Sequence, residues 1–247
     1  MQGMSLFGKN TKLKEALLTE FRQQDRKGIY AWTQKKFAFN SNKMEGSTLT
    51  EDQTADLFDT GTIYGDDVYR AKDIEEANGH FLMFNHMLKT IDYPLTSVLI
   101  KEFHYNLKSG VFEDKLNGYA IGEYKTRPNI AGTETTALPD DVPQMMEELL
   151  NEYHNSKCSI EEIARFHEKF EKIHPFQDGN GRVGRLLIFR ELLVNDITPL
   201  IISNDDRMKY INAIRSAHRG NLDLLVELFK QSQNEYRDTL QYFDLIG

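Results

Sequence analysis

The feature that most constrains this chain of 247 residues is the stretch IHPFQDGNGRVGRLLIF, residues 173–189. It places a histidine, an acid, two glycines and two arginines at the start of a run apolar enough to form a buried helix. A buried arginine is costly unless a negative group meets it. The fold must therefore bring an anion to this position, and its identity is the main question that the sequence poses.

Most of the remaining chain has the periodicity of amphipathic helices. Apolar and charged residues alternate at helical spacing in several segments, which are 11–25, 70–91, 97–108, 141–155, 204–218 and 222–242. Only GYAIGEYKTRPNIAGTETTALP, residues 118–139, breaks the pattern, because its glycines, threonines and prolines favour a hairpin or an extended loop. Without repeats or linkers, we expect a single all-α domain over residues 1–247 with one β-hairpin.

Two capping boxes mark helix starts in this pattern. Thr50 with Gln53 opens one helix, and Ser159 with Glu162 opens another that runs through IARFHEKFEKI. This second helix must end near His174, because a proline follows that residue. The next helix is then expected to begin inside DGNGR.

Composition limits the classes of function. The net charge of −8 argues against broad affinity for nucleic acid or anionic membranes, so any positive site has to be local. A single cysteine, Cys158, fits a reducing compartment. The first residues lack the apolar core of a secretory signal, and no run approaches the roughly 20 apolar residues of a membrane span. We therefore expect a cytoplasmic protein.

The local positive site lies in the motif itself. Gly179 and Gly181 let the backbone approach a ligand closely at the N-terminus of a helix, where the amide groups favour an anion. Arg182 and Arg185 are three residues apart, so they share a helix face and add guanidinium groups suited to phosphate oxygens. This arrangement predicts a binding site for more than one phosphate.

Two further residues of the stretch suggest chemistry at that phosphate. Asp178 is a hard oxygen ligand suited to Mg²⁺ bound together with substrate phosphates. His174 is a natural general base. His167 could share a face with His174 and bind zinc, but no further zinc ligands accompany the pair, which favours a structural role for His167.

These residues carry a resemblance to a known family. HPFQDGNGRVGR resembles the signature of the Fic family, H-x-F-x-[D/E]-G-N-G-R-x-x-R. Every fixed position is matched, by His174, Phe176, Asp178, Gly179, Asn180, Gly181, Arg182 and Arg185. The resemblance extends to the helix before the motif and implies an all-α Fic-type helical bundle with one β-hairpin flap over the active site.

Members of this family typically transfer AMP from ATP to a hydroxyl side chain of a target protein. The resemblance implies that His174 deprotonates the hydroxyl and that Asp178 holds Mg²⁺ on the α- and β-phosphates. Asn180 and the backbone of 179–181 would cradle phosphate, and Arg182 with Arg185 would take the β- and γ-phosphates.

The resemblance also suggests how the substrates are held. The segment YKTRPNIAG is similar to the family's flap, which aligns target segments, and Tyr124 and Thr126 loosely match its Y-x-T pattern. Tyr210 and Asn212 are the candidates for contacts to adenine. The implied partners are ATP and a target protein, which can be the protein itself, while the oligomeric state stays open.

A second motif resembles the family's inhibitory segment, [S/T]-x-x-x-E-[G/N]. It is SNKMEG, residues 41–46, in which Ser41 and Glu45 are four apart and so lie on one helix face. The resemblance implies that Glu45 pairs with Arg185, competes with the γ-phosphate and inhibits the enzyme from within the same chain. The simpler alternative is that Glu45 is a solvated surface acid.

Other functions remain open at this point. The same fold could remove AMP from a modified protein, with Glu45 positioning the attacking water. It could instead transfer another phosphate-linked group, although Gly181 stands where the phosphate-transferring toxin branch of the family has lysine. A non-catalytic nucleotide-binding regulator or a toxin–antitoxin module is the alternative from another class.

Overall fold

Helices make up most of the chain in the computed structural model, which describes residues 11–64, 68–132 and 134–246. Six helices precede the irregular segment: α1 Thr11–Gln23, α2 Ile29–Met44, α3 Glu51–Thr60, α4 Ala71–Lys89, α5 Ser97–Lys108 and α6 Phe112–Leu116. Five follow it: α7 Val142–His154, α8 Ile160–Ile173, α9 Asn180–Val194, α10 Arg207–His218 and α11 Asp223–Tyr242, with a 3-10 turn at Asn204–Asp206. The helical class predicted from the periodicity is confirmed. In this part of the chain, no helix has the length and apolar character needed to cross a membrane.

The predicted helix boundaries have local causes that the structure shows. Thr50 and Gln53 form a complete capping box at α3, with bonds of 3.2 and 2.9 Å between side chain and backbone. At α8 the Ser159 hydroxyl accepts the amide of Glu162 at 3.3 Å. Helix α8 ends at Ile173, as the following proline predicts.

Helix α9 lies at the centre of the molecule. Every residue from Arg182 to Leu193 is buried, and the helix contacts α2, α4, α5 and α8. Its Phe189 ring packs against Phe37, Phe84 and Tyr236 at centroid distances of 5.5–5.8 Å. The charged N-terminal turn of α9 is therefore held inside the molecule by the helices around it.

The segment 118–139 differs from the predicted hairpin. The paired strands there are only two residues long, β1 Ile130–Ala131 and β2 Glu134–Thr135, and they run antiparallel. The other described residues of the segment form turns and irregular backbone. The prediction of a β-hairpin flap across 118–139 is therefore not supported, because the other backbone hydrogen bonds of the segment lie within turns or go to other parts of the molecule rather than to a second strand. One such bond joins the Lys125 amide to the Pro175 carbonyl at 2.8 Å.

Helices α4 and α5 approach each other closely at Gly79. A Cβ at this position would overlap the backbone carbonyl oxygen of Leu107. The absence of a side chain thus lets α4 lie directly on α5, and it brings Glu76 beside Lys108 across the contact, where the two charges are 2.6 Å apart.

We predict that Gly79→Ala lowers the free energy of unfolding by about 1–3 kcal/mol, because the methyl group has to separate two backbones. Gly110→Ala is the matched control, since a Cβ there meets no atom of the described residues within 4 Å, and it should change stability by less than about 0.5 kcal/mol. Urea denaturation of the two variants measures both values. Equal stabilities would contradict the close packing of α4 on α5.

Candidate active site

His174 lies at the point where α8 stops. Its backbone has φ 53° and ψ 60°, a left-handed conformation that ends the helix, and its side chain is 18% exposed. The Nδ1 atom lies 3.3 Å from the carbonyl oxygen of Glu171. Because a carbonyl only accepts, this contact assigns the ring proton to Nδ1 and leaves Nε2 with a free lone pair.

The surroundings of His174 keep its imidazole neutral. Burial lowers its pKa to about 4, because the charged ring would lose its hydration, and the nearby Lys125 ammonium acts in the same direction. The Glu171 carbonyl, Glu45 and Asp178 oppose this shift only in part. At neutral pH His174 is therefore able to accept a proton.

The loop between His174 and α9 is held by side chains that face inward. The Asn180 amide accepts from the backbone nitrogen of Phe176 at 2.7 Å and donates to its carbonyl oxygen at 2.8 Å. Phe176 is fully buried and stacks on the His104 ring, with centroids 4.0 Å apart. The Asn180 side chain is thus bound within the loop, so it shapes the phosphate cradle predicted here rather than pointing its amide at a ligand.

His104 fixes the other end of this loop. Its Nδ1 accepts the amide of Gly122 at 2.9 Å, so its Nε2 carries the proton and donates to the carbonyl oxygen of Asp178 at 3.0 Å. Burial lowers the pKa of His104 to about 3, which keeps this bonding pattern intact at neutral pH. The sequence analysis missed His104, because it lies 74 residues away from the bond that it makes.

The N-terminus of α9 is occupied by a carboxylate. The N-cap residue of α9 is Gly179, with φ 85°. In the first turn of the helix, a Cβ on Gly181 would lie 2.5 Å from Glu45 Oε1. The Glu45 side chain therefore rests on the first turn of α9, where the helix dipole favours negative charge. The missing side chain at Gly181 is what allows this approach.

Arg185 links that carboxylate to α2. Its Nη2 donates to Glu45 Oε1 at 2.6 Å and to the Ser41 carbonyl at 2.9 Å, and its Nε donates to Ser41 Oγ at 2.9 Å. The pairing of Glu45 with Arg185 expected from the second motif is thus present. Glu45 caps the C-terminus of α2 rather than lying inside a helix over 41–46, since α2 ends at Met44.

These contacts stabilise the ionised form of the Glu45 carboxyl group. Burial raises its pKa, but the charges of Arg185 and Arg182 outweigh that effect and place the pKa below its ordinary value. Its side chain is still 36% exposed and lines the cleft described below. Glu45 is therefore an anion at neutral pH that a ligand from the cleft can reach.

Arg182 faces away from Arg185, although the two were expected to share a phosphate-binding face. Its Nη1 forms an ion pair with Glu76 Oε2 at 2.6 Å, and its Nη2 lies 3.5 Å from Asp178 Oδ2. It is only 2% exposed. The structure thus pairs Arg182 with carboxylates of the protein, and the role predicted for it with phosphates stays a prediction.

Lys108 joins the same cluster from α5. Its Nζ lies 2.6 Å from Glu76, 2.7 Å from Asp114 and 2.7 Å from Asp178. Desolvation raises the pKa of Asp178, but Arg182 and Lys108 together hold it well below the ordinary value. No short motif surrounds Lys108, Glu76 or Asp114, so the sequence offered no signal for this cluster.

An open cleft of about 580 Å³ adjoins His174 and Glu45. Its charged wall includes Glu45, Glu171 and Arg185. Its apolar lining is formed by Met44, Ile130, Met208, Ile211 and Ile214, and Arg207, Arg215 and His218 of α10 line it as well. This volume and this mixture of surfaces suit a small organic ligand with an anionic end.

The two residues expected at adenine occupy different places. Tyr210 lines the cleft, and its hydroxyl lies 2.8 Å from His167 Nε2. That bond also agrees with the structural role predicted for His167. Asn212 is exposed and is not among the residues that line the cleft, because it lies on the other side of α10.

Through Lys125 the segment 118–139 contacts the end of α8 and the loop of residues 174–179, which we call the histidine loop. The buried Nζ of Lys125 donates to Asn129 at 2.7 Å, to Thr136 at 2.8 Å and to the Ile173 carbonyl at 3.3 Å. Burial lowers its pKa to about 8. Of the two residues assigned to the flap, Tyr124 is half-buried with its ring 6.0 Å from Phe176, and Thr126 is exposed.

Comparison with known proteins gives consistent matches. The model of the Fic/DOC family matches residues 94–192. A probable protein adenylyltransferase of Aquifex aeolicus is 32% identical over 141 residues, covering 54% of this chain and 43% of the relative. The protein adenylyltransferase Fic of Drosophila willistoni is 30% identical over 194 residues, covering 74% of this chain and 37% of the relative. The chain therefore spans less than half the length of these relatives.

Solved structures show the same fold. A Fic domain containing signaling protein from Bacteroides thetaiotaomicron superimposes with a TM-score of 0.72 at 25% identity, covering 91% of each chain. Fic-1 from C. elegans superimposes with a TM-score of 0.70 at 20% identity, covering 95% of this chain and 71% of the other.

We predict that Lys108→Met destabilises the protein by about 3–5 kcal/mol at pH 7, because it leaves buried carboxylates without their counter-ion. Lys230→Met is the control, since its ion pair with Glu161 is exposed, at 3.1 Å, and should contribute at most about 1 kcal/mol. Urea denaturation at pH 7 and pH 5 measures both. The loss for Lys108→Met should be smaller at pH 5, where the unpaired carboxyl groups take up protons. A loss equal to that of the control would contradict the cluster.

Proposed function

The chain belongs to the Fic/DOC family, and on this basis we propose that it is a protein adenylyltransferase, which transfers AMP from ATP to a hydroxyl side chain of a target protein. The observation that carries the proposal is the neutral His174, placed at the edge of a cleft that ends at the N-terminus of α9 and Arg185. Curated relatives named protein adenylyltransferase support the same reaction class.

The proposed donor site uses the charged end of the cleft. The phosphates of ATP would bind at the amide groups of the first turn of α9 and at Arg185, where Glu45 now lies. Arg182, the other arginine expected at the β- and γ-phosphates, would contact them from its place beside Asp178 and Glu76. The adenosine would extend along the apolar wall formed by α10 and Ile130.

The proposed acceptor chemistry requires one base. The hydroxyl oxygen of the target attacks the α-phosphorus while His174 Nε2 takes its proton, and pyrophosphate leaves. The short strand β1 borders the same cleft through Ile130. We assign to the segment 118–139, with Tyr124 and Thr126, the alignment of the target segment beside His174.

Asp178 fits a magnesium ion that arrives with the nucleotide. The described residues contain no cluster of three or more side chains suited to hold a metal ion. Asp178 is nevertheless ionised and its side chain is 37% exposed, and Mg²⁺ is commonly held by one or two carboxylates plus substrate phosphates. Bound there, the ion would neutralise phosphate charge during transfer.

We further propose that Glu45 inhibits the enzyme. Its carboxylate competes with phosphate for Arg185 and for the first turn of α9, because one guanidinium edge cannot hold both anions in the same place. A second candidate function uses the same observation. Glu45 lines the cleft together with His174, so it could instead position a water molecule for the removal of AMP from a modified protein.

We predict that Glu45→Gly raises AMP transfer at least about 10-fold, which corresponds to about 1.4 kcal/mol of relieved competition. Adding His174→Ala should lower transfer at least about 100-fold, since a general base typically contributes that much, while ATP binding persists. Labelled-ATP incorporation by the wild type, both single variants and the double variant measures the effect, and calorimetry follows ATP binding.

Two results would contradict these assignments. Unchanged labelling by His174→Ala would exclude it as the base. Labelling that stays flat in Glu45→Gly would exclude inhibition by Glu45. If wild-type protein then releases AMP from a modified protein and Glu45→Gly does not, Glu45 serves the removal reaction.

Magnesium dependence gives a separate prediction. Excess chelator should abolish transfer by Glu45→Gly, and Asp178→Ala should weaken Mg²⁺-dependent ATP binding at least about 10-fold, because the triphosphate loses its main counter-ion. Glu113→Ala, a surface carboxylate paired with Lys72, is the control and should bind like the parent protein. Full transfer in excess chelator would contradict the metal role of Asp178.

A further inference from the structure

Glu171 is a buried carboxyl group that the proposed function does not use. It lies on α8 one turn before His174, its side chain is 12% exposed, and it lines the cleft. Its Oε1 atom is buried and has no hydrogen-bond partner among the described residues. Since a buried polar atom without a partner is costly, this placement calls for an explanation.

Helix α9 has a notch that accommodates this carboxyl group. A Cβ on Gly184 would lie 2.5 Å from Glu171 Oε1 and 3.0 Å from the His167 ring. Gly184 is not one of the fixed positions of the motif discussed above. Its lack of a side chain is therefore explained by the space that Glu171 occupies.

The other carboxyl oxygen faces His174. Glu171 Oε2 lies 3.9 Å from His174 Nδ1, on the protonated edge of the ring. When Nε2 accepts a proton, the ring becomes a cation at a largely buried position, which is unfavourable without a counter-charge. Within the described residues, no other carboxylate forms an ion pair with a His174 nitrogen within 4.0 Å.

We propose that Glu171 is a positioning residue for His174, whose carboxylate orients the Nδ1 edge and neutralises the imidazolium formed during transfer. This inference rests on the proposed function. In the step itself, the bond between the target oxygen and the α-phosphorus forms and the bond to pyrophosphate breaks, with its electron pair leaving on pyrophosphate. The hydroxyl proton moves to Nε2, and Glu171 stays ionised.

The charges around Glu171 make its ionisation sensitive to pH. Burial raises its pKa to about 7, Arg185 opposes this shift and Glu45 reinforces it. The titratable and charged groups that share the cleft wall or adjoin the pair come from five elements besides its own: Glu45 after α2, Lys125 in 118–139, Asp178 in the loop before α9, Arg185 on α9, and Arg207, Tyr210, Arg215 and His218 on α10. On α8 itself His167 and His174 are the neighbours. Below this pKa the carboxyl group is neutral and no longer offsets an imidazolium, so transfer should rise as pH increases through about 7.

The kinetic test is made in the Glu45→Gly background, because Glu45 is proposed to inhibit the wild type. It compares Glu171→Gln with Glu161→Gln, an exposed glutamate of the same helix that pairs with Lys230. For Glu171→Gln we expect kcat for AMP transfer at pH 8 to fall at least about 10-fold, with KM for ATP changed less than about 2-fold, because the charge acts in the transition state. The rise of kcat through pH 7 should disappear. Glu161→Gln should match its Glu45→Gly parent.

A measurement that needs no activity separates this inference from the proposed function. The ring resonances of His174, followed by NMR against pH, should show a step near pH 7 as Glu171 ionises. The step should be absent in Glu171→Gln. It should be present in Glu171→Asp, which retains a carboxylate. The aspartate variant also keeps the test possible if the glutamine variant does not fold. If the wild type shows the step but Glu45→Gly transfers no AMP, the proposed function alone would be overturned. A step that persists in Glu171→Gln, or is absent from the wild type, would overturn the coupling.

Discussion

The structure depends on neutralising three buried cations at the N-terminal end of α9. Lys108, Arg182 and Arg185 are each at most 4% exposed, and isolated charges at such positions would destabilise the fold by several kcal/mol each. Their anionic partners are Glu76 on α4, Asp114 on α6, Asp178 in the histidine loop and Glu45 at the end of α2. The same ion pairs therefore hold these elements around α9 and fix the position of the candidate site.

Glu45 is the member of this set that lines the cleft. Glu76 and Asp114 are buried, and Asp178 is 37% exposed but is not among the residues that line the cleft. The Glu45 side chain is 36% exposed and lies on the first turn of α9. A helix N-terminus and a guanidinium group favour any anion of suitable size, so a carboxylate and a phosphate are physically interchangeable there. Arg185 has a negative partner when Glu45 is bound to it, and it would have one when a phosphate took the place of Glu45. This answers the question posed by a buried arginine at this position.

The candidate site was predictable where its contacts are local in sequence. The position of His174 at the end of α8 was predicted from the proline that follows it. The start of α9 near Gly179 and Gly181 was predicted from the backbone freedom of glycine. The contact of Glu45 with Arg185 was expected only because each residue belongs to a motif that resembles a Fic family motif, and the resemblance implies that the two pair. In contrast, His104, Lys108 and Glu171 carry no motif. Their roles depend on which atoms of distant segments they meet, such as the bond of His104 to a carbonyl 74 residues away.

Local sequence patterns predicted the helical class, most helix boundaries and the order of groups along the first turn of α9. These properties arise from interactions within a few residues, such as caps, the 3.6-residue period and the conformations open to glycine and proline. Tertiary structure alone decided that Arg182 and Arg185 point to different carboxylates, that Asn180 binds its own loop, and that 118–139 forms only a minimal strand pair. Each outcome depends on the packing of α2, α4 and α5 against α9, because electrostatic and hydrogen-bond energies are set by distances between atoms far apart in the chain.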